Sequence, residues 1–182
     1  MTRMMLFIII LLISTSSYSA EKRFGVGAKV YDSVLIYFPV EVNGGLIEPS
    51  LEVSSSERES NSYGSTADSS YRRINIGVGF FKSSPLLKDT TLNLGSRFGY
   101  VFGKSESNSS GSVWSDESNG YFIAPTAGVA YAFTPQFSLG MDFSIRYSKN
   151  SRKFESSSGM QDSSSESVFR TYTDVIVRYM FE

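Results

Sequence analysis

The stretch FSLGMDFSIRY (residues 137–147) alternates strictly between two kinds of residue. Its odd positions are apolar or aromatic, and its even positions are small or charged. This period of two predicts a β-strand with one apolar face and one polar face. The fold depends on which face meets water, because an ordinary sheet buries its apolar face in a protein core and a membrane barrel turns that face to lipid.

The same alternation recurs along the rest of the chain, and no stretch shows the sustained 3.6-residue period of an amphipathic helix. In VFRTYTDVIVRYMF (residues 168–181), for example, all three charges fall on even positions. We predict eight strands, at residues 23–31, 34–42, 45–54, 71–81, 91–103, 120–133, 136–148 and 168–181.

Two kinds of connection separate these strands. Short turns include KSSPLLKD (residues 82–89), TPQ (residues 134–136) and NGG (residues 43–45), whose Asn-Gly pair suits a type I′ hairpin turn. They alternate with long tracts rich in serine, glycine and mixed charge, at residues 54–70, 104–119 and 149–167. This composition predicts flexible loops, all at one end of the sheet.

The polar faces of the strands contain many glycines, such as Gly77, Gly79 and Gly140. Glycine weakens a strand and contributes nothing to a solvent-exposed face, but small residues suit a narrow lumen. A soluble barrel would crowd the aromatic faces into a lumen just wide enough for side chains. The eleven residues of 137–147 also match the roughly 9–11 that a tilted membrane strand needs, and aromatic residues gather toward both ends of the strands.

We therefore predict an all-β fold, an eight-stranded antiparallel up-and-down transmembrane β-barrel over residues 21–182, with its apolar faces toward lipid. Pro39, Pro49 and Pro125 oppose this prediction, because each removes a ladder hydrogen bond from a predicted strand. The first two lie near the short turns, where a bulge can absorb them. Pro125 lies deeper, and the sequence offers no explanation for it.

The composition excludes several kinds of chemistry. The 182 residues include no cysteine, which removes disulfides, thiol catalysis and cysteine zinc sites. They include no histidine, the usual general base at neutral pH and the commonest metal ligand. A net charge of −1 without a basic cluster argues against a nucleic-acid partner. We expect no catalytic residue, cofactor or metal.

The first twenty residues have the pattern of an export signal. Arg3 provides the positive start, LFIIILLI (residues 6–13) the apolar core and STSSYSA (residues 14–20) the small residues for cleavage. The core is shorter than the roughly 20 apolar residues that span a bilayer, so a buried N-terminal helix or an anchor is the less favoured alternative. We predict a signal peptide at residues 1–20, cleaved before or after Ala20.

Two segments carry a family resemblance. FPVEVNGGLIEPSLEV (residues 38–53) resembles a hairpin that is common in small eight-stranded outer-membrane barrels of Gram-negative bacteria, the opacity-protein and OmpX-type families. VIVRYMFE (residues 175–182) resembles their C-terminal assembly signal. The alternating residues of that signal are Val175, Val177, Tyr179 and Phe181.

The resemblance implies a monomer in the bacterial outer membrane, surrounded by lipid and lipopolysaccharide. It implies barrel-assembly machinery and periplasmic chaperones as partners during biogenesis. It also makes the extracellular loops the place for an extracellular ligand.

The predicted inward face holds eleven charged residues, six positive and five negative. They are Lys29, Glu41, Glu48, Glu52, Arg73, Arg97, Asp142, Arg146, Arg170, Asp174 and Arg178. Charges that nearly cancel in a narrow barrel predict a salt-bridged plug, because eight-stranded barrels fill their interior with side chains. We expect Arg146 to pair with Asp142 or Asp174. The alternative is an ion path or a charged binding site.

Two functions of different classes fit these features. The first is a structural or surface-interaction role, in envelope integrity, adhesion or recognition through the loops, and the second is a small pore for passive transport. A soluble ligand-carrying barrel in the periplasm is a weaker third. We expect no catalysis, because barrels that act as lipid A deacylases or acyltransferases resemble Ser–His enzymes and this chain lacks histidine. The carboxylates of Glu48 and Glu52 are better suited to pair with lumen arginines than to do acid–base work.

The polar tracts contain a few large apolar residues, Tyr63, Trp114, Phe154 and Met160. Each could contact a receptor or glycan, or lie on the barrel rim among lipid headgroups. We favour the rim, where aromatic residues of outer-membrane barrels concentrate.

Overall fold

The computed structural model describes residues 23–30, 34–62, 65–109, 112–156 and 159–181. The predicted signal peptide, residues 1–20, lies outside these ranges. Within them, we find no helix that is long and apolar enough to cross a membrane.

Nine β-strands make up most of the described chain. They are β1 (Arg23–Val30), β2 (Val34–Tyr37), β3 (Val40–Val42), β4 (Gly45–Ser62), β5 (Ser65–Leu87), β6 (Thr90–Ser109), β7 (Ser112–Ala132), β8 (Phe137–Ser156) and β9 (Gln161–Phe181). The short strands β2 and β3 are the two halves of the strand predicted at residues 34–42. With β2 and β3 counted as one strand, the sheet has the eight strands that the sequence predicts.

The break between β2 and β3 falls at Phe38 and Pro39, and the hydrogen bonds continue across it. The Gly25 amide donates to the Pro39 carbonyl at 2.9 Å, and the Phe38 amide donates to the Pro49 carbonyl at 2.9 Å. Both prolines therefore accept hydrogen bonds at positions where they cannot donate. The register on each side of the break is the same, so no bulge is needed.

Pro125 interrupts one ladder and leaves the other intact. The β6–β7 ladder is continuous and includes Pro125 opposite Ser96. The β7–β8 ladder lacks the pairs at residues 124 and 125 and resumes in the same register, with Thr126 opposite Ser144. The missing amide hydrogen of this proline thus costs local pairing with β8 and does not disturb the strand order.

The strands pair antiparallel in chain order, and β1 pairs with β9 to close the sheet. The closing ladder runs from Phe24 opposite Phe181 to Lys29 opposite Ile176. Closure satisfies backbone donors and acceptors without water, as a strand structure in lipid requires. The predicted eight-stranded up-and-down β-barrel is confirmed.

The barrel is apolar on its outside. In β8 the odd-numbered residues from 137 point outward and the even-numbered ones inward, so Met141 is 57% exposed and Asp142 is 3% exposed. Outward apolar residues occur on the other strands too, among them Phe24, Ile36, Leu51, Ile74, Phe98, Val129 and Val177. An exposed apolar surface of this extent fits surroundings of lipid rather than water. The predicted orientation of the two faces is confirmed.

The short connections lie together at one end, which we call the lower end. Asn43 and Gly44 have φ values of 50° and 72°, as the predicted type I′ turn requires. The connection predicted at residues 82–89 is shorter than expected, because β5 continues to Leu87. Its turn contains Asp89, with φ of 62°.

The serine-rich tracts at the opposite, upper end are strands rather than loops. In all three hairpins the ladder continues close to the tip, and in the β6–β7 hairpin the last pair is Ser109 with Ser112. The prediction of flexible loops is therefore wrong. Strand propensity depends on context, and each tract prolongs a ladder whose register the apolar part of the strand has already fixed.

The upper parts of β4 to β9 form a six-stranded polar extension, which we call the wall. Neighbouring hairpins pair with each other as well as internally. β8 continues for nine residues past Tyr147, which corresponds to roughly 20 Å at the rise and tilt of barrel strands. β1 ends at Val30 and β2 begins at Val34, so the barrel is lower on that side. Among the described residues, the upper parts of β4 and β9 thus have a neighbour on one side only.

Candidate functional site

Large side chains fill the lumen above glycines of their own or of a neighbouring strand. The Phe122 ring lies against Gly99 and the Phe81 ring against Gly79, where an added Cβ would collide with them. Tyr37 is 1% exposed in the same interior. The inward glycines therefore provide room for aromatic rings as well as for charges.

Four charged residues form a closed cluster across the lower half of the lumen. Glu48 of β4 is fully buried and accepts hydrogen bonds from Arg97 Nη2 at 2.8 Å and from Arg178 Nε at 2.7 Å. Arg97 Nη2 also donates to Asp142 Oδ2 at 2.6 Å. We call Glu48, Arg97, Asp142 and Arg178 the lower plug. It joins β4, β6, β8 and β9, and its two positive charges balance its two negative charges.

Aromatic rings and a further ion pair support the lower plug. The Arg97 guanidinium lies over the rings of Tyr37 and Phe81, at 5.2 and 4.8 Å from their centroids, distances at which cations attract ring faces. Lys29 Nζ lies 2.6 Å from Asp174 Oδ1. This pair crosses the closing ladder between β1 and β9, so it links the two ends of the sheet.

A chain of hydrogen bonds lies higher in the lumen, between β4 and β5. Glu52 Oε2 accepts from the Asn75 amide at 2.6 Å, and Asn75 Oδ1 accepts from Arg73 Nε at 3.1 Å. The side-chain amide of Asn75 thus links Glu52 with Arg73. Both belong to the predicted set of lumen charges, and the contact between them runs through Asn75.

Arg146 has aromatic neighbours instead of the predicted carboxylate. Its guanidinium lies 4.1 Å from the Phe122 ring centroid and 4.8 Å from that of Tyr172. The expected partners are bound elsewhere, since Arg97 holds Asp142 and Lys29 holds Asp174. Two same-face steps along β8 separate Arg146 from Asp142, about 13 Å, whereas side chains of other strands reach Asp142 across the lumen.

Two of the predicted lumen charges lie at its ends. Glu41 is at the lower rim, 3.6 Å from Arg23, and both side chains are partly exposed. Arg23 also donates to the Pro135 carbonyl of the turn before β8. Arg170 occupies an inward position of β9 but is exposed, because that part of β9 lies above the last residue pair with β1. The prediction placed both residues inside the lumen and did not foresee these exposed positions.

Several residues that shape the site were missing from the predicted set. They are Arg23, Tyr37, Asn75, Phe122 and Tyr172. All occupy inward positions of their strands, so counting every polar and aromatic side chain on the inward face would have found them. Arg23 is the first residue of β1, on the same face as Gly25 and Lys29, and lies opposite Glu41 in the β1–β3 ladder.

Trp114 and Phe154, two aromatic residues of the polar tracts, do not lie among lipid headgroups. Trp114 and Phe154 occupy even positions of β7 and β8, on the same face as Phe122, and their ring centroids are 5.2 Å apart. They therefore line the inner surface of the wall, and the predicted location at the lipid rim is wrong. Met160 is 60% exposed near the β8–β9 tip. Tyr63 lies outside the described residues.

The outer surface of the wall is polar and carries an exposed ion pair. Lys104 Nζ lies 2.6 Å from Glu106 Oε1 on neighbouring outward positions of β6. The hydrogen bond and charge of Glu106 raise the pKa of Lys104, and those of Lys104 lower the pKa of Glu106. Both groups are fully exposed, so salt screens their attraction.

The residues of the predicted assembly signal share one surface. Val175, Val177, Tyr179 and Phe181 all point outward from β9 and are exposed. The opposite, inward positions of the same segment hold Ile176, Arg178 and Met180. The signal residues thus belong to the lipid-facing surface of the closing strand, and their role in assembly stays a prediction.

The comparisons with known proteins concern the fold. No protein-family model matches the sequence, and no curated protein matches it significantly. A major outer membrane protein from Thermus thermophilus matches with a TM-score of 0.63 and 15% identity, over 90% of this chain and 100% of that one. Neisserial surface protein A matches with a TM-score of 0.51 and 15% identity, over 88% of this chain and 94% of that one. This chain is similar in fold to both outer-membrane barrels.

Proposed function

We propose that this chain is an integral protein of the bacterial outer membrane with a structural or surface-interaction role. The observation that carries the proposal is the polar wall, which continues from a lipid-facing barrel in one unbroken set of strands. A barrel of this form is fixed in the membrane and presents hydrogen-bonded hairpins on one side of it.

The apolar belt supports the membrane location. In β8 the belt extends from Phe137 to Tyr147, about 25 Å at the tilt of barrel strands. Aromatic pairs border it at both ends, with Phe133 against Phe137 below and Tyr147 against Phe169 above. This is the double aromatic girdle that outer-membrane barrels place at the two lipid–water interfaces.

The lower plug supports a closed lumen rather than a pore. An ion passing through would have to separate Arg97 from Glu48 and Asp142, which are 2.8 and 2.6 Å away. Separating a buried pair leaves uncompensated charges, which costs about 3–5 kcal/mol. Eight-stranded barrels fill their lumen with side chains, whereas open channels have 16 or more strands.

The wall supports the surface-interaction role. Its backbone is already paired, so a partner that binds there need not order a flexible loop, and ordering costs reduce affinity. Its inner surface presents the Trp114–Phe154 aromatic pair among serines and charged side chains. We propose adhesion or recognition as the specific role, and a relationship to the opacity-protein and OmpX-type families. We also propose that the protein has no catalytic activity, because the chain lacks histidine.

The proposal also includes export and assembly. The pattern of residues 1–20 supports export by a signal peptide, and the outward residues 175–181 of β9 support recognition by barrel-assembly machinery after escort by periplasmic chaperones. The belt supports contact with outer-membrane lipid and lipopolysaccharide as a monomer.

Conductance across planar lipid bilayers tests the plugged barrel against the alternative of a small pore. We expect refolded wild-type protein to insert without producing stable current steps, because the lower plug is charge-balanced and hydrogen-bonded. Insertion is verified independently by protease protection of the belt in the same lipid. Stable, uniform current steps from inserted protein would contradict the plug and favour the pore.

A further inference from the structure

Three arginines face the lumen above the lower plug, Arg73 on β5, Arg146 on β8 and Arg170 on β9. By strand register and tilt they lie near the upper border of the belt. In the described part of the chain, Glu52 is the carboxylate at the same height in the lumen. It accepts a hydrogen bond from the side-chain amide of Asn75. Among the described residues, the upper end of the lumen therefore carries more positive than negative charge, whereas the lower plug is balanced.

Two of these arginines oppose each other directly. Arg146 and Arg170 are partners in the β8–β9 ladder, and like charges at directly opposite positions of antiparallel strands repel. Neither forms an ion pair with a carboxylate of the described residues. An anion between the two guanidinium groups would replace this repulsion with attraction to both.

The surroundings of Arg146 hold its guanidinium in place without neutralising it. Phe122 and Tyr172 lie against it at 4.1 and 4.8 Å, and rings stacked on a guanidinium leave its N–H donors available at the edge. Its Nε is buried and has no hydrogen-bond partner among the residues that the structure describes. Arg97 also has such an Nε, but that guanidinium already binds two carboxylates.

One of these arginines, Arg170, is accessible from the upper end, whereas Arg73 and Arg146 are partly buried. Arg170 is exposed on a part of β9 that lies above the last β1–β9 pair, Lys29 with Ile176. The barrel is low on that side because β1 and β2 are short. Farther up the wall, the described inward positions carry both signs of charge, so among these residues the positive excess is found at the mouth of the lumen.

We propose that Arg146 and Arg170, with Arg73 nearby, form a binding site for a phosphate or sulfate group. Arginine forks bind such oxyanions with paired hydrogen bonds, more strongly than neutral groups do. The group belongs either to the headgroup of an outer-leaflet lipid or to a soluble ligand from outside the cell. This inference deepens the proposed surface role by naming the chemistry of its ligand.

Calorimetric titration with inorganic pyrophosphate tests the site, using full-length refolded protein in uncharged micelles at constant ionic strength. We expect saturable binding of one pyrophosphate per barrel. The Arg170→Gln variant should bind about tenfold more weakly, because a charge-assisted hydrogen bond is lost. Arg170 is exposed and outside the lower plug, so this variant should fold. The matched control is Arg72→Gln, which removes the same charge from the outward face of β5 and should keep the wild-type affinity.

Absence of saturable binding, or equal weakening by Arg170→Gln and Arg72→Gln, would overturn the proposal. Vesicles distinguish the two sources of the group. Competition between pyrophosphate and phosphatidylglycerol vesicles, but not phosphatidylcholine vesicles, assigns the site to a lipid headgroup, and binding unaffected by either assigns it to a soluble ligand. Conductance is measured separately, so failure of this site and failure of the plugged barrel are distinguishable.

Discussion

At the scale of the residue, the lower plug depends on Glu48. This carboxylate binds two arginines with separate oxygens, and one of them, Arg178, lies 130 residues away in sequence. Buried charges of this kind contribute little net stability, but loss of one partner is costly because the other charge stays buried. Glu48 therefore has a larger expected effect on stability than any exposed charge of the barrel.

The Glu48→Gln variant tests this role. It keeps the side-chain shape and removes the charge that Arg97 and Arg178 share, so the free energy of unfolding should fall by about 3–5 kcal/mol. The measurement is urea unfolding of the refolded protein in micelles. The control is Glu41→Gln at the lower rim, whose partly exposed pair with Arg23 should be worth less than about 1 kcal/mol. Similar small losses in both variants would contradict a plug centred on Glu48.

Alternation in the sequence predicted which charges face inward, because side-chain direction follows the period of two along a strand. It did not predict their partners. Asp142 and Arg146 share a face of β8, yet one binds Arg97 from β6 and the other stacks between Phe122 and Tyr172. The choice of partner depends on the stagger between strands around the barrel and on which side chains meet across the lumen. Neither is a local property of the sequence.

At the scale of the element, the strands extend far beyond their apolar segments. Their lower ends and centres could be predicted, since apolar alternation and turn residues such as Asn43 and Gly44 mark them. The upper ends could not, because serine-rich composition is typical of loops and the pairing that overrides it comes from neighbouring strands. Pro125 shows the same effect, since pairing with β6 lets a strand tolerate a residue that local rules exclude.

Amide hydrogen exchange tests the extended strands. In the upper part of β6, residues 104–108, each amide lies between two paired neighbours, so we expect slow exchange there. In the upper part of β4, residues 54–62, one side has no partner strand among the described residues, so alternate amides should exchange faster. The control is β8 within the belt, residues 137–147, which should be the slowest. Uniformly fast exchange throughout residues 104–108 would mean that the tract is a flexible loop.

At the scale of the whole molecule, the protein is a barrel with an apolar outer surface and a charge-balanced lower lumen. Among the described residues, its wall is present on one side and absent above β1 and β2. Closure and the outward apolar face could be predicted from sequence, because inward glycines recur on β1 and on β5 to β8, and outward apolar residues occur along all the long strands. The asymmetry could not, since it results from the difference between short β1 and β2 and the six long strands beside them. That difference is also what leaves Arg170 exposed at the mouth of the lumen.

The most direct test of the central claim, that the apolar face meets lipid, is a spin-label accessibility measurement on β8. The chain has no cysteine, so Met141→Cys, Phe143→Cys and Ser144→Cys each accept one nitroxide label at a single site. In vesicles, the labels at 141 and 143 should collide readily with oxygen dissolved in lipid and remain shielded from a water-soluble nickel complex. The label at 144 should be immobile and reach oxygen poorly. Oxygen access at 144 that exceeds access at 141 and 143, or nickel access at the odd positions, would contradict the account.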